Sequence, residues 1–175
     1  MSQRDSGYDR IEHDAYETPS WATIALTPHL PDYVMTILEP ACGSGKMIKP
    51  LDVCGYDVTG SDIQAGIDFF TLKDVSQNAV ITNPPYALAT EFIEHALHLM
   101  EPNKGFVAML LRCDFDHAKT RKHLFADNPA FSKKLILTKR IKWIEGSTGS
   151  PSFNHAWFMF DFRHKGPPII AYDFQ

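Results

Sequence analysis

The chain has 175 residues, 44% of them hydrophobic and 22% charged, and its formal net charge at pH 7 is −4. This length and hydrophobic content predict one globular domain, with a hydrophobic core large enough to be stable without disulfides or bound metals. No apolar run of about 18 residues occurs and the N-terminus is polar, which argues against a membrane-spanning or secreted protein. The three cysteines show no C-x-x-C spacing, so we predict neither disulfides nor a metal site, and we expect a cytoplasmic protein.

The N-terminal region divides into a polar arm and a helix start. We expect residues 1–15 to form the arm and 16–175 to form the single domain. Thr18 and Pro19 are typical N-cap and N1 residues, so the sequence predicts a helix that begins here. The free N–H groups at such a helix end favour an anionic ligand, although the same pair also occurs at helix starts that bind nothing.

A glycine turn follows the first predicted strand, which covers residues 34–38. The segment 39–45 reads EPACGSG, and a helix-like stretch begins at Lys46. Gly43 and Gly45 can adopt positive φ and let the backbone approach a ligand, while Glu39 can accept hydrogen bonds from an amine or a hydroxyl. The glycine spacing does not match that of a pyrophosphate or P-loop motif, which disfavours a phosphate cradle.

The second predicted strand covers residues 56–61, and two acids follow it in the sequence. Asp62 and Ile63 follow it directly, at the point where an open α/β sheet places an acid for ribose hydroxyls. Asp68 and Phe69 follow, and they offer an acceptor and an aromatic face suited to an adenine ring.

The tetrapeptide Asn83-Pro84-Pro85-Tyr86 follows the third predicted strand, residues 79–83. Two prolines remove two backbone donors and stiffen the turn, so that its carbonyl oxygens are directed. Asn83 and the Pro84 carbonyl can accept the two hydrogens of an exocyclic amino group, and the Tyr86 ring can lie against the aromatic ring that carries it. The alternative is an ordinary strand-ending turn.

The remaining pattern alternates helix and strand. A helix is predicted over 88–100, and further strands over 105–111, 133–138 and 155–162. The last strand has no helix before it and is therefore expected to run antiparallel. The fold class is then α/β and Rossmann-like, with a mostly parallel sheet and helices on both faces. The Gly/Ser/Pro-rich segment 145–152 is either a lid over the site or a simple connector.

Positive charge is concentrated late in the chain. Between Arg112 and Lys142 lie nine basic residues against three acidic ones, a local excess of six. Such a segment favours nucleic acid, because phosphate neutralisation supplies most of the affinity for a duplex. A solvated surface is the alternative.

In this order and spacing, EPACGSG and NPPY resemble the two signature motifs of S-adenosylmethionine-dependent amino-methyltransferases, above all the DNA adenine-N6 enzymes. The resemblance extends over roughly residues 16–163 and is looser in the second half, where the chain is similar to small phage-encoded versions. It implies the cytoplasm of a bacterial or phage-infected cell. The larger restriction-modification enzymes carry a separate target-recognition domain, for which 175 residues leave no room.

The resemblance implies S-adenosylmethionine as the cofactor and a role for each motif. The implied cofactor-binding residues are Tyr16, Thr18, Pro19, Glu39, Ala41, Gly43, Gly45, Asp62, Ile63, Asp68, Phe69 and Asn83. The implied catalytic residues are Asn83, Pro84, Pro85 and Tyr86. Candidate nucleic-acid-binding residues are Arg112, Lys119, Arg121, Lys122, Lys139, Arg140 and Phe153, the last of which could close the second face of a flipped base.

The expected activity is methyl transfer to adenine N6 in DNA by direct in-line displacement. An amino-methyltransferase that acts on RNA bases or on a protein glutamine is the first alternative, since both acceptors carry a planar, conjugated amino group. A cofactor-binding module without catalysis is the second. A homodimer or an accessory protein could supply target specificity.

Overall fold

A computed structural model describes residues 16–143, 151 and 153–173. The arm at 1–15 and most of the segment 145–152 therefore lie outside the described residues. Within these residues the α-helices are α1 (Ser20–Ile24), α2 (Ile48–Val53) and α3 (Ala89–Met100). The strands are β1 (Thr36–Glu39), β2 (Asp57–Gly60), β3 (Ala79–Thr82), β4 (Phe106–Arg112), β5 (Phe131–Ile136), β6 (His155–Asp161) and β7 (Ile169–Tyr172).

The seven strands of the described residues form one sheet in the order β2-β1-β3-β4-β6-β5-β7. The pairs among β1, β2, β3 and β4 are parallel, and β6 is antiparallel to both β4 and β5. The predicted α/β class is thus confirmed, including the antiparallel entry of the late strand. The six predicted strands match β1 to β6 within two residues at each end, whereas β7 is an additional strand that the sequence analysis did not predict.

Apolar side chains cover both faces of the sheet. On one face, α3 contributes Phe92 and Ile93 to a buried cluster that also contains Val80 of β3 and Phe158 of β6. This helix forms because its apolar residues recur at helical spacing, and it ends at the Pro102 and Gly105 turn.

The opposite face is covered by α1, by the turn that follows it and by α2, through Ala22, Leu26 and Leu51 respectively. The prediction of helices on both faces is therefore confirmed. Trp157 of β6 is fully buried there, and its Nε1 donates to the Ala22 carbonyl at 2.9 Å. This hydrogen bond satisfies the indole N–H, which would otherwise be costly to bury. In the described part of the chain, no helix is long and apolar enough to cross a membrane.

The start of α1 differs from its prediction. Pro19 is the N-cap, with an extended backbone (φ −67°, ψ 144°), so that the helix begins at Ser20 and Thr18 lies before the cap. Thr18 is only 3% exposed, and no side-chain cap hydrogen bond forms. The assignment of Thr18 as N-cap and Pro19 as N1 was therefore wrong by one residue.

Candidate active site

A cleft with a volume of about 540 Å³ opens at the carboxyl ends of β1, β2 and β3. Parallel strands bring the residues that follow them to one edge, where α/β sheets bind ligands. Eleven predicted site residues line the cleft: Tyr16, Thr18, Glu39, Ala41, Gly43, Asp62, Ile63, Asp68, Phe69, Asn83 and Pro85. The described lining does not include Pro19, Gly45, Pro84 or Tyr86.

The turn after β1 has the conformation that its glycines predict. Gly43 has φ +49° and Gly45 has φ +81°, a region that strains other residues. A Cβ placed on Gly43 would meet nothing within 4 Å, so this part of the backbone is open to the cleft. The Gly43 N–H donates to Asp62 Oδ2 at 2.9 Å, which joins the glycine turn to the acid after β2.

Glu39 is the most buried acid of the cleft, with 2% of its surface exposed. Its Oε2 has no hydrogen-bond partner among the described residues. Burial, with a smaller contribution from the negative charge of Asp62, raises the pKa of Glu39 to about 8. A buried carboxyl oxygen without a partner is costly unless a ligand that enters the cleft supplies a hydrogen bond.

Two further acids of the cleft, Asp62 and Asp68, each hold a short turn. Asp62 Oδ1 accepts from the Gln64 N–H at 2.8 Å, and Asp68 Oδ1 accepts from the Phe70 N–H at 2.9 Å. Phe69 and Phe70 both line the cleft, but Phe69 is 2% exposed whereas Phe70 is 39% exposed. The ring that remains available to a ligand is thus mainly that of Phe70, which is not among the cofactor-binding residues that the family resemblance implies.

The N-terminal segment is tied to the glycine turn by charge. Glu17 Oε2 lies 2.7 Å from Lys46 Nζ, and Ser44 Oγ donates to Glu17 Oε1. The hydrogen bond from Lys46 is the largest of the effects that lower the pKa of Glu17. All three residues line the cleft, and sequence analysis missed them because their pairing depends on the fold.

Asn83 has one side of its amide engaged. Its Nδ2 donates to the Tyr16 carbonyl at 2.8 Å. Because a carbonyl can only accept, this contact fixes which end of the amide is nitrogen. The Oδ1 of Asn83 is buried and has no partner among the described residues, so it is an acceptor held ready for a donor.

Tyr86 points its hydroxyl at a histidine. Its phenol oxygen lies 2.7 Å from Nε2 of His155, the first residue of β6. His155 is 2% exposed, and burial together with the nearby Arg112 lowers its pKa to about 4. The imidazole is therefore neutral at pH 7.

The predicted basic residues lie at the same edge of the sheet as the cleft. Arg112 is the last residue of β4, and Lys119, Arg121 and Lys122 follow that strand. Lys139 and Arg140 follow β5, which runs in the same direction as β4. Phe153 precedes β6, which starts at that edge because it runs the opposite way.

Several of these cations are already engaged. Arg112 and Lys122 form ion pairs with Asp114 and Asp127, and Lys134 lies 2.8 Å from Asp116. Arg112 also lies over the Phe153 ring, 4.0 Å from its centroid, and so covers one face of it. All three acids of the 112–142 segment are thus neutralised locally, which leaves the remaining basic residues to set the sign of the surface potential.

Comparison with known proteins identifies the fold but no family. The chain matches no protein-family model and no curated protein sequence. A candidate class I S-adenosylmethionine-dependent methyltransferase from Listeria monocytogenes superposes with a TM-score of 0.63 at 14% identity, over 95% of this chain and 67% of that one. A candidate RNA methyltransferase from Pyrococcus horikoshii gives 0.58 at 12% identity, over 90% and 91% of the two chains.

The methyltransferase subunit of a type I restriction-modification system from Streptococcus thermophilus gives a TM-score of 0.57 at 15% identity. The similarity covers 85% of this chain but 45% of that one, so this chain spans less than half of that protein. These similarities establish a Rossmann-like class I methyltransferase fold.

Proposed function

We propose that the protein transfers a methyl group from S-adenosylmethionine to the exocyclic N6 amino group of adenine in DNA. The observation that carries the proposal is the Asn83 amide. The Tyr16 carbonyl engages its nitrogen, and its buried oxygen has no partner among the described residues. An amino group on a planar ring supplies the donor that this oxygen lacks.

The residues of the cleft fit S-adenosylmethionine. The unpartnered Glu39 oxygen suits an amine or hydroxyl donor, and Asp62 follows β2 where a ribose diol would be bound. The open backbone at Gly43 admits the ligand closely, and the exposed Phe70 ring offers a face for the adenine. When bound, the cofactor supplies a methyl group on a sulfonium, whose thioether is a good leaving group.

The residues of the chain contribute position and hydrogen bonds. Asn83 Oδ1 and the Pro84 carbonyl would accept the two amino hydrogens and favour a more nucleophilic, pyramidal nitrogen. Tyr86 would lie against the flipped base and replace the stacking lost on extrusion from the duplex. No covalent enzyme intermediate is required, and the amino nitrogen releases one proton after it gains the methyl group.

The distribution of charge supports a nucleic-acid acceptor. Lys119, Lys139 and Lys142 are exposed and follow β4 or β5 at the edge where the cleft opens. Phosphate neutralisation there would hold a strand across the site, whereas a protein glutamine gives no reason for this charge. Among the fold neighbours, the Streptococcus protein is named as a methyltransferase subunit of a restriction-modification system and the Pyrococcus protein as a candidate RNA methyltransferase.

The deciding experiment identifies the acceptor directly. The purified protein is incubated with methyl-labelled S-adenosylmethionine and unmethylated DNA, RNA or bulk protein, and the product is digested and analysed. We expect N6-methyladenine in DNA. Label found only in RNA or on glutamine would show that DNA is not the acceptor. Cofactor binding without any methyl transfer would indicate a binding module and not an enzyme.

A further inference from the structure

The hydroxyl of Tyr86 is tethered to a residue far along the chain. Its contact with His155 Nε2 measures 2.7 Å and spans 69 positions of sequence. It joins the turn after β3 to the first residue of β6, two strands that are not neighbours, since β4 lies between them. A hydrogen bond at the far end of a phenol restricts both side-chain torsions of the tyrosine at once.

His155 is itself held from several sides, so it can act as a fixed anchor. Its backbone is paired with Arg112 of the neighbouring strand β4, and its carbonyl accepts from the Leu137 N–H at 3.1 Å. The Trp143 ring meets the imidazole edge-on, with centroids 5.0 Å apart. Because His155 is only 2% exposed, water can hardly compete with Tyr86 for the hydrogen bond to its imidazole.

The same group of rings reaches the other end of the NPPY turn. Trp143 lies 5.7 Å from the Tyr16 ring, and the Tyr16 carbonyl accepts from the Asn83 amide. Contacts therefore run from Asn83 through Tyr16, Trp143 and His155 to Tyr86. The Asn83 amide, which would accept the amino hydrogens, and the Tyr86 ring, which would lie against the base, are thus held by one connected set of contacts.

We propose that His155 is a positioning residue that orients the Tyr86 ring against the target base. The inference rests on the proposed function. Its role is exerted through the tyrosine hydroxyl and not through contact with the reacting atoms. His155 thereby couples the start of β6 to the geometry of methyl transfer, in which small displacements of a positioned group are costly.

The test is a double-mutant cycle on the full chain. Tyr86→Phe removes the hydroxyl and keeps the ring, His155→Leu removes the anchor, and His155→Gln retains an amide that can donate or accept. Methylation of unmethylated DNA gives kcat and KM, and calorimetry with S-adenosylmethionine gives the cofactor Kd. We expect Tyr86→Phe and His155→Leu each to lower kcat about tenfold, the size of effect of one hydrogen bond.

Four further results are expected. The double variant should be no slower than either single variant, because both remove the same contact. His155→Gln should recover most of the activity, and the cofactor Kd should stay unchanged throughout. Nitrogen-15 NMR of labelled histidine should show a shifted His155 Nε2 resonance in Tyr86→Phe, which reports the tether without any turnover.

The inference is overturned if Tyr86→Phe turns over like the wild type, if the two losses add, or if the Nε2 resonance does not move. Because Tyr86→Phe deletes one atom, it guards against a folding defect in His155→Leu. A wild-type protein that methylates no acceptor would be a failure of the proposed function. An active wild type whose Tyr86→Phe variant is equally active would be a failure of this inference alone.

Discussion

At the scale of single residues, Asn83 separates binding from chemistry. Its Oδ1 has no partner among the described residues, and it would be engaged only when an amino group enters. We expect Asn83→Ala to lower kcat by about 100-fold or more, the typical loss when one preorganised electrostatic contact is removed. The cofactor Kd should change little, because the carboxylates that would hold the cofactor remain.

Steady-state methylation and calorimetry measure the two quantities separately. Asn103→Ala, an exposed asparagine in the turn between α3 and β4, serves as the matched control and should behave as the wild type. An Asn83→Ala variant that methylates adenine normally would contradict the assigned role.

Glu39 should make the stability of the ligand-free protein depend on pH. Its pKa is raised to about 8, whereas an unfolded chain loses this proton near the ordinary value of 4.5. Between these values the folded state binds the extra proton, so the free energy of unfolding falls as the pH rises. Glu39→Gln lacks this term and should gain on the order of 2–4 kcal/mol over the wild type between pH 5 and pH 8.

Urea unfolding of both proteins at pH 5, 6.5 and 8 gives the difference, in which other titrating groups cancel. A difference that does not change with pH would mean that Glu39 is already ionised in the folded state. Bound S-adenosylmethionine should shrink the effect if it donates to the carboxylate.

The residues that sequence analysis located are those whose role is local. Gly43 and Asn83 stand beside strand ends in short motifs, so their place in the cleft follows from the chain near them. The Glu17 contact to Ser44 spans 27 positions and the His155 contact to Tyr86 spans 69. Such partners become visible only when β6 and the N-terminal segment are packed onto the sheet.

At the scale of elements, Gly105, the last residue of the turn between α3 and β4, has no room for a side chain. A Cβ on Gly105 would lie 2.7 Å from Met100 Sδ and 2.9 Å from the Asn78 carbonyl oxygen. The Met100 side chain can move, but that carbonyl accepts from the Phe106 N–H at 3.0 Å beside β4. Gly105→Ala should therefore cost about 1–3 kcal/mol of stability, as overpacking usually does.

Thermal and urea unfolding test this cost. Val53→Ala, at a site that is 88% exposed, should change the free energy of unfolding by less than about 0.5 kcal/mol. Equal stability of Gly105→Ala and the wild type would show that the β3–β4 junction yields more easily than its hydrogen bond suggests.

The sequence pattern predicted the long elements and the first three short strands, but it missed the exposed strand β7. The apolar stripe of α3 and the buried runs of β4 and β6 each extend over seven or more residues, which is long enough for the pattern to be recognised. In contrast, β7 has four residues and follows two prolines, and its Ile169, Ile170 and Tyr172 side chains are more than half exposed. Nothing in the local pattern indicates that it pairs with β5, because that pairing is decided by the sheet.

At the scale of the whole molecule, the position of charge matters more than its sum. The net charge of −4 would disfavour DNA if it were spread evenly. Apart from Lys133 and Lys134, which lie within β5, the cations of the 112–142 segment lie instead at or beyond the ends of β4 and β5. Lys165 follows the carboxyl end of β6, which runs the other way, and it therefore lies at the opposite edge.

Two exposed lysines provide a matched pair for this asymmetry. Lys142→Ala should weaken DNA binding, and the slope of log K against log [salt] should become less steep by about 0.9, the value of one phosphate contact. Lys165→Ala removes the same charge from the opposite edge and should leave both quantities unchanged. Fluorescence anisotropy with a labelled duplex at several salt concentrations measures both. Equal effects of the two variants would mean that only net charge matters and that DNA does not cross the cleft edge.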